Sequence, residues 1–334
     1  MLILAIESSC DDTAAAVLEN DNRVLSNIIS SQFDVHAKYG GIVPELASRC
    51  HIEAVWTVVR EALDTAGVPL EKIDMIAATQ GPGLVGSLLV GFTFAKALAL
   101  VRGIPCVGVD HMAGHLLSIF LDEHKPQFPY TALVVSGGNT SIFTVRDEMT
   151  FEGVGRTRDD AAGEAFDKVA KLLGLGYPGG PIVSKMADQG DPASIAFPRS
   201  WLDADSFDFS FSGLKTSVVN HVHHCKQKKN PLPVADICAS FQEAVIEVLV
   251  EKGIKAAKRF NHAGLVLGGG VASNNRLRDR MRQRCLEEKI NFFVPRPIFC
   301  TDNAAMIGLA GYHQFLHGNT VTPDTDAYSR SLLN

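Results

Sequence analysis

Aromatic residues, paired cysteines and the common nucleotide-binding motifs are scarce or missing in this 334-residue chain. Aromatics make up 7% of it, and its seven cysteines are scattered without a C-x-x-C pair. An odd number of scattered cysteines argues against a disulfide framework and a thiolate zinc site, and it favours a reducing compartment. No G-x-x-x-x-G-K-S/T segment occurs and no G-x-G-x-x-G follows a strand pattern, so neither P-loop nor Rossmann chemistry is indicated.

Positive charge is also in short supply, since the formal net charge is −6. A protein whose whole surface binds nucleic acid is usually basic, so any RNA contact has to be local or supplied by a partner. The apolar run 83–101 is nearly long enough to span a bilayer, but Lys96 within it and Pro82 before it favour a buried core helix. With no basic leader at the N-terminus, we expect a soluble, cytoplasmic protein that does not contact a membrane.

Glycine is abundant, with 29 residues, and the hydrophobic fraction is 46%, which is typical of an α/β protein with glycine-rich ligand loops. Segments 2–19 and 131–148 each combine a β-prone strand, a small polar turn and a second strand. We interpret them as duplicated hairpins that open two similar halves. The expected domains are 1–125 with 305–334, and 126–304.

Strand and helix patterns alternate along the rest of the chain, which predicts a mainly parallel sheet with right-handed crossovers. After the loop 177–181, we expect irregular structure up to the helix that begins at Val234. Helices are predicted at 51–67, 83–101, 161–176, 234–260 and 272–289, and a loop leads into a last helix within 300–315.

The segment DHMAGH places His111 and His115 four residues apart, which on a helix puts both imidazoles on one face. A zinc peptidase of the H-E-x-x-H type needs a glutamate after the first histidine to activate water, and Met112 stands there instead. Asp302, just ahead of the last helix, is the candidate third ligand. Two histidines and a carboxylate suit Fe or Zn and leave positions for a substrate oxygen. The alternative is two helix histidines that satisfy local hydrogen bonds.

Three glycine-rich turns and one acidic turn favour a nucleotide site. The glycine turns are VSGGNT (135–140), GYPGGP (176–181) and LGGGVASNN (267–275). Glycine lets backbone N–H groups close on a phosphate, although a single glycine pair is more often only a turn. Asp11 and Asp12, with Glu7, form the acidic turn, which is either a solvated hairpin tip or a group that positions a metal or an amine beside a phosphate.

Two further patterns each allow a functional and a structural interpretation. Asp167 on a predicted helix could accept hydrogen bonds from a ribose, or pair with Lys168 or Lys171 at the surface. Arginines recur every four residues on another helix, and a solvated face is the default interpretation of that stripe, with tRNA phosphates as the alternative. The arginines are Arg276, Arg280 and Arg284.

Nine motifs occur in order along this chain: ESSCDDT, GGIVPELASR, QGPGLVGSLLVG, DHMAGH, VSGGNT, AAGEAFDKVAKLLGLGYPGGP, FSFSGLKT, GGGVASNNRLR and CTDNAAMIG. Together they resemble the TsaD family, whose members make threonylcarbamoyladenosine in tRNA and were once regarded as O-sialoglycoprotein endopeptidases. The resemblance runs from about Leu2 to Gly311. It implies the actin-like ATPase (ASKHA) fold, with two duplicated domains around a nucleotide and metal cleft.

The resemblance also implies a reaction and its participants. A TsaC-type synthase makes threonylcarbamoyl-adenylate, and this chain transfers the threonylcarbamoyl group to N6 of the adenosine next to the anticodon in tRNAs reading ANN codons. TsaB-type and TsaE-type subunits are the implied partners, and ATP or ADP can occupy the cleft. His111, His115 and Asp302 would hold one Fe²⁺ or Zn²⁺ per chain, and Asp11 and Asp12 would be catalytic. The implied substrate-binding residues are Val135, Ser136, Gly137, Gly138, Asn139, Asp167, Gly180 and Asn274.

One residue departs from the pattern of the bacterial members, which usually have histidine where this chain has Asn139. Asparagine is a poor metal ligand, so a metal role at this position is not expected. Three alternatives to the transferase stay open at this point. They are a small-molecule kinase of the same fold, a non-catalytic scaffold that binds nucleotide and partners, and, last for want of the glutamate, a metallopeptidase.

Overall fold

The fold is described from a computed structural model that covers residues 1–203, 205–228 and 231–333. The chain divides into two compact units. Unit 1 comprises Met1–Lys125, Val145–Glu152 and Pro295–Asn334, and unit 2 comprises Pro126–Thr144 and Gly153–Val294. The domain boundaries expected from the sequence stay a prediction, and Asn334, the last residue of the expected first domain, lies outside the described residues.

A five-stranded sheet forms the centre of unit 1, with the strand order β3-β2-β1-β4-β5. Its strands β1 and β2 pair antiparallel, as do β2 and β3, whereas β4 runs parallel to both β1 and β5. The expectation of a mainly parallel sheet is therefore wrong here, because the three consecutive strands β1, β2 and β3 form two antiparallel pairs beside two parallel ones. The strands are β1 (Leu2–Glu7), β2 (Asp12–Glu19), β3 (Arg23–Ser31), β4 (Met75–Gly81) and β5 (Cys106–Asp110).

Helices cover both faces of this sheet. On one face, Leu4 and Ile6 share a core cluster with side chains of α2 and α3. On the other face Ala5 meets Gly308 of α11, where a Cβ would lie 3.1 Å from the Ala5 Cβ, so glycine allows close packing. The helices are α1 (Phe33–Ala37), α2 (Pro44–Ala66), α3 (Val85–Arg102), α4 (His111–Leu117), α10 (Pro297–Cys300) and α11 (Ala304–Leu316).

Unit 2 has a second five-stranded sheet of order β10-β9-β6-β7-β8, which repeats the order of the first sheet when it is read from β8. Its strands are β6 (Tyr130–Val135), β7 (Thr140–Val145), β8 (Phe151–Arg156), β9 (Gly264–Gly268) and β10 (Asn291–Phe293). Its helices are α5 (Ala162–Leu173), α6 (Gly179–Ala187), α7 (Ser212–Gln227), α8 (Val234–Arg259) and α9 (Asn275–Glu287). The shared strand order agrees with the duplicated hairpins expected from the sequence.

The structure corrects several predicted element boundaries. Helix α2 begins at Pro44, seven residues before the predicted start, because proline suits the first helical turn. Its last residue is Ala66, and Gly67, where the sequence predicted the end of the helix, is the left-handed C-cap. The predicted loop 177–181 contains the start of α6, and α7 crosses the segment that was expected to be irregular. The hydrophobic pattern of α7 is too weak to indicate a helix, since only three of its residues are buried.

Helix α3 is long and apolar enough to cross a membrane by length and composition, and a third of its most apolar window is buried. Core helices of soluble proteins pass the same test. Here Ser87, Leu88 and Phe92 are among its buried residues, and the helix packs against α2 and β4. The predicted core helix is therefore buried along one face only.

Candidate functional site

Helix α4 presents the two histidines of the HMAGH motif. Asp110 caps its N-terminus by accepting a hydrogen bond from the Met112 backbone N–H at 2.9 Å. The rings of His111 and His115 lie edge to face with their centroids 4.7 Å apart. Gly114 between them faces α11, where a Cβ would come within 3.0 Å of the Met306 side chain. Glycine therefore lets the two helices pack closely.

That packing brings the loop before α11, and Asp302 within it, to the histidines. The ligand atoms of His111, His115 and Asp302 all lie within 4.8 Å of one another. Asp302 Oδ1 is 3.4 Å from His111 Nε2 and 3.1 Å from His115 Nε2. Both histidines are buried, and a quarter of the Asp302 side chain is exposed. Two imidazole nitrogens and a carboxylate oxygen converging on one point fit a tetrahedral or higher-coordinate Zn or Fe with open positions.

Glu7, at the end of β1, lies on the opposite side of His111. It is completely buried, and its Oε2 is 3.0 Å from His111 Nδ1. The Thr79 hydroxyl donates to the same oxygen at 2.5 Å, and the Ser9 backbone N–H donates to Oε1 at 2.5 Å. The sequence analysis had placed Glu7 only within the acidic turn, because spacing along the chain could not show that it meets a histidine 104 residues away.

The charges in this cluster stabilise one another. Burial alone would raise the pKa of Glu7, but the attraction and hydrogen bond of His111 lower it below its ordinary value. Burial also opposes the charge on His111, yet Glu7 and Asp302 hold its pKa well above the usual range. For Asp302, both histidines outweigh burial and lower the pKa far below normal. The two carboxylates thus favour a positive charge at this place, which a divalent cation or a protonated imidazole supplies.

Asp11 lies in the turn between β1 and β2 and Asp12 is the first residue of β2, and neither is the solvated hairpin tip that was one interpretation. Both are half-buried, and burial raises the pKa of Asp11. Burial, together with the neighbouring charges of Asp11 and Asp302, raises the pKa of Asp12 to about 7, against a hydrogen bond from Ser31. Among the described residues, Asp12 Oδ1 has no hydrogen-bond partner. A carboxyl group with this pKa can exchange a proton near neutral pH.

The C-terminal segment reaches the N-terminus of α4, which the sequence analysis did not foresee. The Asp110 carboxylate accepts hydrogen bonds from the Tyr328 hydroxyl at 3.1 Å, the Ser331 hydroxyl at 3.0 Å and the Leu332 N–H at 3.3 Å. Next to it, Gly81 packs so closely on Tyr328 that a Cβ would lie 2.1 Å from its carbonyl oxygen. No periodic pattern in residues 321–333 indicates these contacts, since the segment is neither strand nor helix.

In unit 2, the SGGNT turn joins β6 to β7. The Ser136 N–H donates to the Asn139 carbonyl at 2.7 Å, and the Asn139 N–H donates to the Ser136 hydroxyl at 3.0 Å. Gly137 and Gly138 are exposed, and a Cβ on either would meet no atom within 4 Å. Val135, the last residue of β6, is buried. The turn is closed on itself by hydrogen bonds and keeps open space above two consecutive glycines.

The other predicted substrate residues of unit 2 have clear local roles. Asp167 accepts a hydrogen bond from the Gly179 N–H at 2.7 Å, which places it at the N-terminus of α6. Gly180, the next residue, has open space around its Cβ position. Asn274 caps α9 by accepting from the Leu277 N–H at 2.9 Å, and its amide donates to Gln242 at 2.8 Å. A cleft of about 210 Å³ is lined by Gln242 and neighbouring residues of α6, α8 and α9.

Lys168, one of the two lysines considered as a partner of Asp167, pairs with Asp160 at 2.6 Å and with Glu164 at 2.9 Å. The arginine stripe is also paired rather than freely solvated. Arg276 and Arg280 meet Glu243 of α8, at 3.0 and 3.8 Å. Arg284 contacts the three carboxylates Glu251, Glu287 and Glu288.

The fold and the site can now be compared with known proteins. The family model of TsaD, described as tRNA N6-adenosine threonylcarbamoyltransferase, matches residues 23–309. Proteins with that description from Desulfotalea psychrophila and Clostridioides difficile are 57% and 51% identical to this chain. The alignments cover all of this chain and 98% and 99% of the relatives.

A solved structure shows the same architecture at low sequence identity. The activator of 2-hydroxyisocaproyl-CoA dehydratase from Clostridium difficile, with bound ADPNP, gives a TM-score of 0.53 at 14% identity. The match covers 95% of this chain and 97% of that one. The expected α/β actin-like ATPase fold is thereby confirmed, and the full-length relatives support the transferase rather than a small-molecule kinase. The chain belongs to the TsaD family of tRNA N6-adenosine threonylcarbamoyltransferases.

Proposed function

We propose that this chain transfers the threonylcarbamoyl group of threonylcarbamoyl-adenylate to N6 of the adenosine next to the anticodon, in tRNAs reading ANN codons. The observation that carries the proposal is the convergence of His111, His115 and Asp302 within 4.8 Å in a chain that matches the transferase family over nearly its whole length. The three residues hold Fe²⁺ or Zn²⁺. The bound ion supplies Lewis-acid stabilisation of oxygen atoms that gain negative charge during transfer.

Unit 2 supplies the turn that binds the acyl-adenylate phosphate. Gly137 and Gly138 leave room for a ligand, and backbone N–H groups in such a turn bind anions. Ser136 and Asn139 hold the turn in shape through their mutual hydrogen bonds, with Val135 buried beneath them. Asn139 acts here through its backbone, so asparagine in place of histidine is compatible with the role.

The nucleoside portion of the intermediate contacts Asp167, Gly180 and Asn274. Open space around Gly180 at the N-terminus of α6 supports this assignment, as does the fixed position of Asn274, which caps α9 and donates to Gln242. ATP or ADP binds through the same groups, since they recognise adenosine and phosphate rather than the threonylcarbamoyl group.

Asp12, with Asp11 beside it, acts on the acceptor. The exocyclic amine of adenosine is a weak nucleophile, so the transition state benefits from a group that removes its proton. As the N6–carbon bond forms and the carbon–oxygen bond to AMP breaks, the amine proton passes to the Asp12 carboxylate. The pKa of about 7 for Asp12 suits this role, because such a group is ionised in half of the molecules near neutral pH and is then a stronger base than an ordinary aspartate.

TsaB-type and TsaE-type subunits are the proposed partners, and a TsaC-type synthase supplies the intermediate. The net charge of −6 and the pairing of the arginine stripe support a tRNA surface that is shared with other subunits. A cytoplasmic location is consistent with tRNA as the substrate and with the scattered free cysteines.

The test is nucleoside mass spectrometry of unmodified tRNA after incubation with threonine, bicarbonate, ATP and the partner proteins. We expect threonylcarbamoyladenosine only when this chain is present, and its loss in His111→Ala. His223→Ala, which removes an exposed histidine of α7, is the matched control and keeps activity. Modified nucleoside at wild-type yield in His111→Ala would contradict the metal role, and none with the wild-type chain and competent partners would contradict the transferase.

A further inference from the structure

The two candidate metal ligands on α4 have unequal surroundings. His111 has one ring nitrogen toward Asp302 and the other, Nδ1, 3.0 Å from the Glu7 carboxylate. His115 Nε2 likewise approaches Asp302, but its buried Nδ1 has no hydrogen-bond partner among the described residues. Of the two imidazoles, only that of His111 has, within the described part of the chain, a charged hydrogen-bond acceptor at the ring nitrogen that faces away from Asp302.

The position of Glu7 is fixed from three directions. It ends β1, which lies between β2 and β4 in the sheet, and its side chain is completely buried. The Thr79 hydroxyl and the Ser9 backbone N–H each donate to it at 2.5 Å. The Ser9 N–H holds Oε1, and the Thr79 hydroxyl donates to Oε2, the oxygen that also faces His111. Both donors together fix the carboxylate with Oε2 toward the histidine.

We propose that Glu7 is a positioning residue that orients His111 and fixes its tautomer, an inference that rests on the metal site of the proposed function. A proton on Nδ1 that is donated to Glu7 leaves the lone pair of Nε2 free for a metal, and the hydrogen bond makes that nitrogen a better ligand. The Ser9 hydroxyl is also near Nδ1, at 3.3 Å, but it is farther away and uncharged. It cannot replace the carboxylate.

The substitution Glu7→Gln, which keeps the size and shape of the side chain, distinguishes a role in orienting His111 from a role in packing alone. In Glu7→Gln, the NH2 group has to stand at the Oε1 or the Oε2 position. At Oε1 it opposes the Ser9 N–H, so two donors face each other. At Oε2 it donates to His111 Nδ1, which moves the ring proton to Nε2 and blocks the metal-binding lone pair. Either arrangement disfavours metal binding while it preserves the volume of the side chain.

The experiment is a titration of the metal-free full-length chain with Co²⁺ alone, followed by the visible d–d absorption and by the apparent Kd. Wild type, Glu7→Gln and His111→Ala are compared. Glu45→Gln, which removes an exposed carboxylate of α2, is the matched control. We expect Glu7→Gln to bind Co²⁺ about 10- to 100-fold more weakly, with an altered spectrum. The far-UV circular dichroism should stay at the wild-type value, which shows that the variant is folded, and Glu45→Gln should bind as wild type does.

The outcomes separate this inference from the metal site itself. If His111→Ala loses Co²⁺ binding but Glu7→Gln keeps the wild-type Kd and spectrum, Glu7 does not position the ligand and the metal site stands. If wild type and His111→Ala bind equally, the metal site falls and the inference falls with it. If Glu7→Gln does not fold, the Co²⁺ titration is repeated with Thr79→Val, which leaves Glu7 in place but removes one of its hydrogen-bond donors. A several-fold weaker Kd supports the role of Glu7, and an unchanged Kd overturns it.

Discussion

At the scale of single residues, unit 1 contains three charged groups that stabilise one another and one carboxyl group, that of Asp12, whose charge is disfavoured by its surroundings. Glu7, His111 and Asp302 form an alternating series of charges. Asp12 lies near negative groups and has an unpartnered buried oxygen among the described residues. Buried polar atoms without partners are costly and concentrate at functional sites. In the proposed mechanism, Asp12 is therefore a residue at which stability and activity oppose each other.

We predict that Asp12→Asn stabilises the protein at alkaline pH. The pKa of Asp12 is about 7 in the folded state against an ordinary value of 3.8, so between these values the folded protein binds more protons than the unfolded chain. The free energy of unfolding therefore falls as pH rises through this window, on the order of 1 to 4 kcal/mol. Asparagine removes that loss. Urea unfolding near pH 8 should show the gain, which should disappear below the unfolded-state pKa.

The same variant should transfer the threonylcarbamoyl group far more slowly, because an amide cannot accept the amine proton. Glu53→Gln, an exposed carboxylate on α2, serves as control and should change neither the pH dependence of unfolding nor the transfer rate. A pH dependence of unfolding in Asp12→Asn equal to that of wild type would show that this carboxyl group titrates normally.

At the scale of elements, the acidic turn is held by the turn that follows β4. The Leu84 N–H donates to the Ser9 carbonyl at 2.8 Å, and Gly83 faces the same residue. A Cβ on Gly83 would lie 2.4 Å from the Ser9 carbonyl oxygen and 3.0 Å from its Cα. Because both are backbone atoms, they cannot move aside as a side chain can. The glycine is thus required for the turn to reach Ser9, whose N–H holds Glu7.

We predict that Gly83→Ala displaces the acidic turn, lowers the free energy of unfolding by about 1 to 3 kcal/mol and reduces transfer activity. Chemical denaturation and the nucleoside assay measure the two effects. Gly213→Ala in α7 is the stability control, since nothing lies within 4 Å of its Cβ position, and it should be neutral or slightly stabilising. Equal stability of the Gly83 variant and wild type would mean that the turn adjusts without cost.

Local chemistry explains which elements the sequence predicted well. Strands β1 and β2 with their short turn, the end of α2 at Gly67 and the apolar helix α3 follow from hydrophobic pattern and capping residues alone. Helix α7 was missed because its pattern is mostly polar and its stability comes from contacts with α5 and α8. Which group lies next to a buried charge, as Glu7 lies next to His111, depends on the order of strands in the sheet. The spacing of the two residues along the sequence does not indicate it.

At the scale of the whole molecule, charge decides how tRNA is bound. The chain carries a net charge of −6, and the arginines that looked available on α9 are neutralised by carboxylates of α8 and α9. The sequence could predict the stripe but not its pairing, because Glu243 and Glu251 lie on a different helix. The stripe Arg276, Arg280 and Arg284 is therefore not a free basic surface for tRNA phosphates.

We predict that the isolated chain binds tRNA weakly and with a shallow dependence on salt. Fluorescence anisotropy with labelled tRNA, between about 50 and 200 mM salt, should show a slope well below that of a protein with 6–10 phosphate contacts. Addition of the partner subunits should raise the affinity and steepen the slope. Tight binding by the chain alone with a steep slope would mean that it carries its own basic surface.

The division of the chain has a consequence for its synthesis on the ribosome. Unit 2 ends at Val294, whereas unit 1 needs Pro295–Asn334, which bring Asp302, α11 and the residues that hold Asp110. At about 5–20 residues per second, the segment from 126 to 294 occupies roughly ten to thirty seconds of translation. Throughout that time the nascent unit 1 exposes the face of its sheet that α11 later covers. Unit 1 can thus be completed only after unit 2 has been synthesised, and a nascent chain has the histidines long before it has their carboxylate.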